Sequence, residues 1–176
     1  MDQAGWRSAI VVPIVLPAAL EAIRLSHVDN ARLGVPAHVT LLFPFVPAPD
    51  ITGQVVARAR AAIAGIAGFD VTFHEVTSFD PGPASEGVVW LAPDPPRPFR
   101  AMTESLGAAF PDHPPYEGLH DEVIPHLTLA ERAGDIAGLQ NAVRPHLPFR
   151  RSVSSAVLLV EEPDGRWQAR ETLPLR

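Results

Sequence analysis

HVTLLFPF, residues His38–Phe45, and HLTLAERA, residues His126–Ala133, repeat one short frame: a histidine, a threonine two places on, then leucine. Proline precedes both, as Pro36 two places before His38 and as Pro125 directly before His126. The chain holds only seven histidines and only 15 Ser or Thr, so a hydroxyl two residues after a histidine is uncommon here. Both segments are rich in apolar residues and bounded by prolines, which predicts strands. In a strand, residues i and i+2 share a face, so His38 lies beside Thr40 and His126 beside Thr128.

The same order of elements surrounds each frame. Ser8–Val15 is rich in β-branched residues and reads as a strand. Pro17 suits the first turn of a helix with Leu20, Ile23 and His27 at 3–4 spacing, and the first His strand follows over 38–45. Asp50 is a candidate N-cap for a helix that carries Ile51, Val55, Ala59, Ile63 and Ile66 on one side and stops at Gly68. Phe69–Phe79 alternates apolar and polar, the pattern of a half-buried strand. After the turn-forming Asp80–Gly87 the order restarts. Val88–Ala92 is a strand, and Phe99, Met102, Leu106 and Phe110 stripe a helix. The second His strand spans 126–131; Asp135 caps a helix with Ile136, Leu139 and Val143, which Pro145 closes. Arg150–Val160 reads as one further strand and Arg166–Leu173 as another.

Strand, helix, His strand, helix, strand thus occurs twice, over about 8–79 and 88–160, with a C-terminal strand at 166–173. The expectation is an α+β fold in which residues 1–176 form one domain of two pseudo-symmetric lobes of antiparallel sheet, helices packed outside. An approximate two-fold axis would bring the His strands face to face. Outside the repeat, Pro111–Ile124 is a long proline-rich approach to the second His strand and a candidate rim.

Composition narrows the chemistry. Of 176 residues, 47% are hydrophobic, enough to build a core. A net charge of −6 argues against a duplex-DNA binder, which needs a basic face, and favours a small anionic ligand. All 14 basic residues are Arg, whose planar fork suits phosphate oxygens. The absence of cysteine excludes disulfides and thiolate chemistry and is compatible with a cytoplasmic location. The longest apolar run, Ala9–Leu20, is too short to span a bilayer and contains two prolines. It could imitate a signal-peptide core, but Asp2 precedes it and the repeat needs it as a strand. No membrane association is expected.

One isolated His-x-Thr on a strand is ordinarily accidental. Two at equivalent points of a repeat are not easily so, although a silent duplication would produce them. Across a groove, two imidazoles titrating near neutrality can act on opposite sides of a phosphorus, one as base and one as acid. The threonine hydroxyls can hold non-bridging oxygens. A metal site is the first rival: two histidines plus Asp121 or Glu122 could bind a divalent ion, but no H-x-H, H-E-x-x-H or clustered Asp pattern exists. A serine nucleophile lacks its G-x-S-x-G elbow. A non-catalytic nucleotide or RNA-end binding module is the second rival. Tyr116 or Phe45 could stack on a base, with core packing the better reading of Phe45. His27, His74, His113, His120 and His146 have ordinary surface or helix-end readings.

HVTLLFPF and HLTLAER resemble the paired signatures of the two-histidine phosphoesterases, most closely their bacterial 2′-5′ RNA ligase and cyclic phosphodiesterase branch. AIVVPIVL, VVWLAP and SSAVLLVE extend the resemblance along nearly the whole chain. It implies a bilobal α+β fold with the His strands lining a central groove. The implied activity is hydrolysis of a 2′,3′-cyclic phosphate, or cleavage or joining of a 2′-5′ linkage, with no metal or other cofactor. The implied partner is a small nucleotide or RNA end, handled by a monomer. His38 and His126 would be the acid–base pair, in either assignment, and Thr40 and Thr128 the phosphate ligands. Many relatives carry Arg directly after the second motif; here Glu131 stands there and Arg132 follows. On a regular strand Arg132 would share the side of His126 and Thr128 and could face substrate phosphate, with a solvent-exposed Arg an equally good reading.

Overall fold

The computed structural model describes residues 7–79, 86–118 and 123–176, without the side chain of Tyr116. Eight strands and four α-helices are present among them: β1 (Ser8–Pro13), α1 (Ala18–His27), β2 (His38–Leu42), α2 (Gly53–Ile63), β3 (Phe69–Phe79), β4 (Gly87–Asp94), α3 (Arg97–Ala109), β5 (Leu127–Ala133), α4 (Ile136–Val143), β6 (Phe149–Val153), β7 (Ser155–Glu161) and β8 (Trp167–Pro174). The strands form one antiparallel sheet in the order β6-β3-β4-β5-β2-β1-β7-β8.

Outward from its centre, the sheet has β2, β1, β7, β8 on one side and β5, β4, β3, β6 on the other. The duplicated order is there, with an exchange: the third strand of each repeat joins the other half. β3 pairs with β4, and β7 with β1. The first helix of each repeat also crosses, α1 packing on β5 and α3 on β2. Neither half therefore buries its apolar surface without chain from the other repeat.

The strand expected over Arg150–Val160 is two strands. β6 ends at Val153, opposite Phe69, and β7 begins at Ser155, opposite Pro174. β6 is one outer edge of the sheet and β7 lies next to the other, yet only Ser154 separates them. A flat eight-stranded sheet would hold those strands about 30 Å apart at ~4.8 Å per strand. The sheet must therefore curl until its ends meet. Backbone bonds close the gap: Leu175 N–H donates to Ser154 O (2.9 Å), Gly68 N–H to Arg176 O (3.0 Å) and Arg176 N–H to Ile66 O (2.9 Å).

One face of the curled sheet carries the main core. Ile10, Val12, Val39, Leu41, Leu127 and Leu129 pack there with Leu20 of α1, Ile63 of α2, Phe99, Met102 and Leu106 of α3 and Val143 of α4. The opposite face bears a small second cluster, Ala9, Val11, Val35 and Leu159, flanked by Phe43, Val157 and Trp167. The strict alternation of Ala9 and Val11 against Ile10 and Val12 is the period of two made physical. Among the described residues, no helix is long and apolar enough to cross a membrane.

Two helix boundaries differ from expectation. Thr52, not Asp50, caps α2, accepting from Val55 N–H at 3.3 Å, because Asp50 is taken up in a short 3-10 turn, Ala48–Asp50. α2 ends at Ile63, so Gly68 serves the sheet closure and not the helix stop. Asp135 caps α4 as expected, accepting from Gly138 N–H at 2.9 Å.

Gly34 ends the 3-10 segment Asp29–Leu33 with φ +99°, and a Cβ there would lie 2.4 Å from Trp167 O. Both the backbone conformation and the close approach exclude a side chain. Gly34→Ala should therefore lose at least about 3 kcal/mol of unfolding free energy in urea titration, against about 1–2 kcal/mol for Gly165→Ala, which has open space and only the strain of φ +81°.

A candidate active site between the two His-x-Thr strands

β2 and β5 meet through a single residue pair, Val39 with Leu127. Antiparallel register then sets His38 opposite Thr128 and Thr40 opposite His126. Val39 and Leu127 are fully buried on the helix-bearing face. The four polar side chains therefore point the other way, and all four are half-buried. They line one cavity of about 450 Å³, together with Arg7, Arg24, Asn30, Phe43, Glu131 and Trp167 among others.

The imidazoles are held alike. His38 Nδ1 lies 2.7 Å from Pro36 O, and His126 Nδ1 lies 2.7 Å from Ile124 O, each carbonyl two residues upstream. A carbonyl only accepts, so Nδ1 carries the proton and donates it. Nε2 is left as the nitrogen available to the cavity on both rings. Burial pushes His38 down to about 4, helped by the charges of Arg24 and His126 and opposed by the bond to Pro36. Burial also lowers His126, opposed by the bond to Ile124. At neutral pH both rings are uncharged bases.

Their surroundings differ. Arg24 is buried on α1, its guanidinium bonded to Glu21 (2.8 Å) and to Val35 O (3.2 Å). His126 instead meets the rings of Phe79 and Trp90, with centroids at 5.1 and 5.8 Å; those two rings stack at 4.6 Å. At the β1 end, Arg7 pairs with Glu161 (2.6 Å) and lies over Trp167, which is tilted against Phe43.

Arg132 does not follow strand parity. Trp90 pairs with Thr128 but Val89 with Ala130, so one step on β4 spans two on β5, a β-bulge. Leu129 and Ala130 are consequently both buried, and the face shared with Thr128 passes to Glu131, which lines the cavity. Arg132 adopts φ +49°, is exposed, and pairs with Asp29 outside the cavity lining. Phe45 belongs to the core, edge-on to Phe110. His74 is exposed near Asp94, and His27 bonds Ile23 O at the end of α1. The Tyr116 side chain, His120, Asp121 and Glu122 lie outside the described residues. Among the described residues, no three His, Asp or Glu cluster as metal ligands would.

Sequence reasoning missed Arg7, Arg24, Asn30, Phe43, Glu131 and Trp167 as cavity residues. Arg24 left a trace: it stands four after Leu20, on the inward stripe of α1, where a cation is out of place.

A family model described as the 2′-5′ RNA ligase superfamily matches residues 12–165. The chain belongs to that superfamily. As a two-histidine phosphoesterase it shares its fold with E. coli LigT, solved with 3′-AMP, at 17% identity and TM-score 0.61 over 97% of this chain and 98% of that one. TT0787 of Thermus thermophilus is similar at 19% identity and TM-score 0.62, with 97% and 98% covered. Kluyveromyces marxianus Usb1 is more distant, 14% and 0.50, over 98% and 99%. No curated protein matches the sequence. Both motifs of this superfamily member, His38–Thr40 and His126–Thr128, lie within the matched residues.

The depressed His38 has a stability consequence. The unfolded imidazole gains a proton below about pH 6.5, while the folded one resists until about 4, so folding stability falls as pH decreases through that window. The full loss is about 3 kcal/mol at ~1.4 kcal/mol per unit. Urea titrations at pH 7 and pH 4.5 should differ by less in His38→Gln than in the wild type, by up to that amount.

Proposed function

We propose that this protein is a metal-independent phosphodiesterase acting on a 2′,3′-cyclic phosphate or a 2′-5′ linkage of a small nucleotide or RNA end. The observation that carries the reading is the crossed arrangement of His38 opposite Thr128 and Thr40 opposite His126 in one cavity, both rings tied back through Nδ1. A phosphodiester centred there meets one Nε2 and one hydroxyl from each strand. The LigT structure holding 3′-AMP adds support from a relative of the same fold.

In the hydrolytic direction one imidazole takes a proton from water as its oxygen bonds to phosphorus. The other protonates the ribose oxygen as the P–O bond breaks. The threonine hydroxyls donate to the non-bridging oxygens, where charge develops. The acid must be protonated first, and the phosphodiester anion raises the basicity of the ring beside it. Burial depresses both rings, and at His38 the charge of Arg24 adds to it. This favours His38 as base and His126 as acid, with the roles exchanged when a ribose hydroxyl attacks in the ligase direction.

The test is turnover of 2′,3′-cyclic nucleotides and 2′-5′ dinucleotides in the presence of EDTA. His38→Ala and His126→Ala should each lower kcat by roughly 10²–10⁴-fold. Thr40→Ala and Thr128→Ala should each cost roughly 10–10²-fold. An unchanged rate in His38→Ala, or loss of activity with EDTA, defeats the mechanism; binding of a cyclic nucleotide without any turnover makes the protein a binding module.

The pH dependence gives a second check. Both imidazoles are lowered from 6.5, so the bell in kcat/KM should peak below that pH. Arg24→Met removes a cation that opposes charging of His38 and should move the acid limb to higher pH.

A further inference from the structure

The cavity wall is not electrically symmetric. Its two cations stand at the β1 end and on α1, Arg7 paired with Glu161 and Arg24 with Glu21, and Arg24 still acts on His38. Both histidines are held neutral. Glu131 also lines the cavity, placed there by the bulge in β5, and is half-buried. Among the described residues no hydrogen bond or ion pair holds its carboxylate, and the neighbouring guanidinium of Arg132 is engaged by Asp29. The β5 side of the wall thus presents a carboxylate that no bond holds and that acts on Arg132 through space.

We propose that Glu131 is a specificity-determining residue that limits the site to ligands with a single phosphate group, rejecting those with a second phosphate. The inference rests on the phosphodiesterase reading above and names its substrate class: a nucleotide whose reacting phosphate is its only one, such as a nucleoside 2′,3′-cyclic phosphate with a free 5′-hydroxyl. A phosphodiester carries one negative charge, and the threonine hydroxyls and Nε2 positions can hold it. A terminal phosphate adds a further ~1.5–2 charges at neutral pH. Within a half-enclosed cavity, like charges repel more strongly than in open water. Glu131 can accept from neutral hydroxyl or amine donors of the nucleoside, but it offers a second phosphate nothing. Had the strand stayed regular, Arg132 would have faced the same space with the opposite preference.

The test compares adenosine 3′-monophosphate with adenosine 3′,5′-bisphosphate by calorimetric titration of the full chain, in wild type, Glu131→Gln and Glu131→Arg. The wild type should bind the monophosphate at least tenfold more tightly. The ratio should fall to threefold or less in Glu131→Gln and invert in Glu131→Arg. Raising the salt concentration should narrow it in the wild type and in Glu131→Arg but not in Glu131→Gln, since screening acts on the charge. Equal wild-type affinities, a ratio unchanged in Glu131→Gln, or no binding of either ligand overturns the proposal. Melting curves check that each variant is folded; should Glu131→Arg fail to fold, Glu131→Gln still decides.

Turnover of adenosine 2′,3′-cyclic phosphate, with and without a 5′-phosphate, separates the two readings. Loss of the catalytic reading appears as no turnover of either compound while the binding ratio persists. Loss of the Glu131 inference appears as equal turnover of both.

Discussion

The contact on which the site depends is the narrow seam between β2 and β5. With Val39 opposite Leu127, both apolar residues fall on the helix-bearing face, and each histidine meets the threonine of the other motif. A slip of one residue in either strand would send its histidine and threonine into the core and its two aliphatic residues into the groove. The hydrophobic demand of Val39, Leu41, Leu127 and Leu129 therefore fixes the placement of the polar groups. The packing that stabilises the sheet and the geometry of the site are one constraint.

The crossings of the chain reinforce that seam. α1 packs on β5 and α3 on β2, so each half is braced by a helix that enters from the other repeat. The exchange of β3 and β7 does the same at greater distance, and the single-residue link at Ser154 forces the sheet to curl. A concave face results, and the histidines lie on it. Arg7 faces Glu161 by the same logic, because the ladder pairing Ser8 with Val160 continues one step outward.

What the sequence revealed was local. The two His-x-Thr frames, the stripe Phe99–Met102–Leu106–Phe110 and the Asp135 cap are written in periods of two and 3.6 or in one side-chain bond, and all are found in the fold. The hidden features each require knowledge of a partner strand. Nothing in RRSVSSAV marks Ser154 as a crossing, since both sides favour strand; only the pairing with β3 and then with β1 divides it. The bulge at Leu129–Ala130 exists only in the register with β4, and so the exchange of Arg132 for Glu131 could not be read from β5 itself. Asp50 and Thr52 are equally good caps by residue type, and the short turn before α2 chooses between them.

The pairing of β1 with β7 also orders events during synthesis. Residues 8–11 wait for 157–160 before they gain that ladder, and Trp167 must arrive before one end of the cavity has its wall. Contacts of such long sequence separation form late and slowly, because the intervening loop must close first. A nascent chain that has already made both histidines still lacks β7, the outer neighbour of the strand β1 on which the first of them pairs. Competence is thus acquired late, once β7 and Trp167 have left the ribosome and folded back on β1.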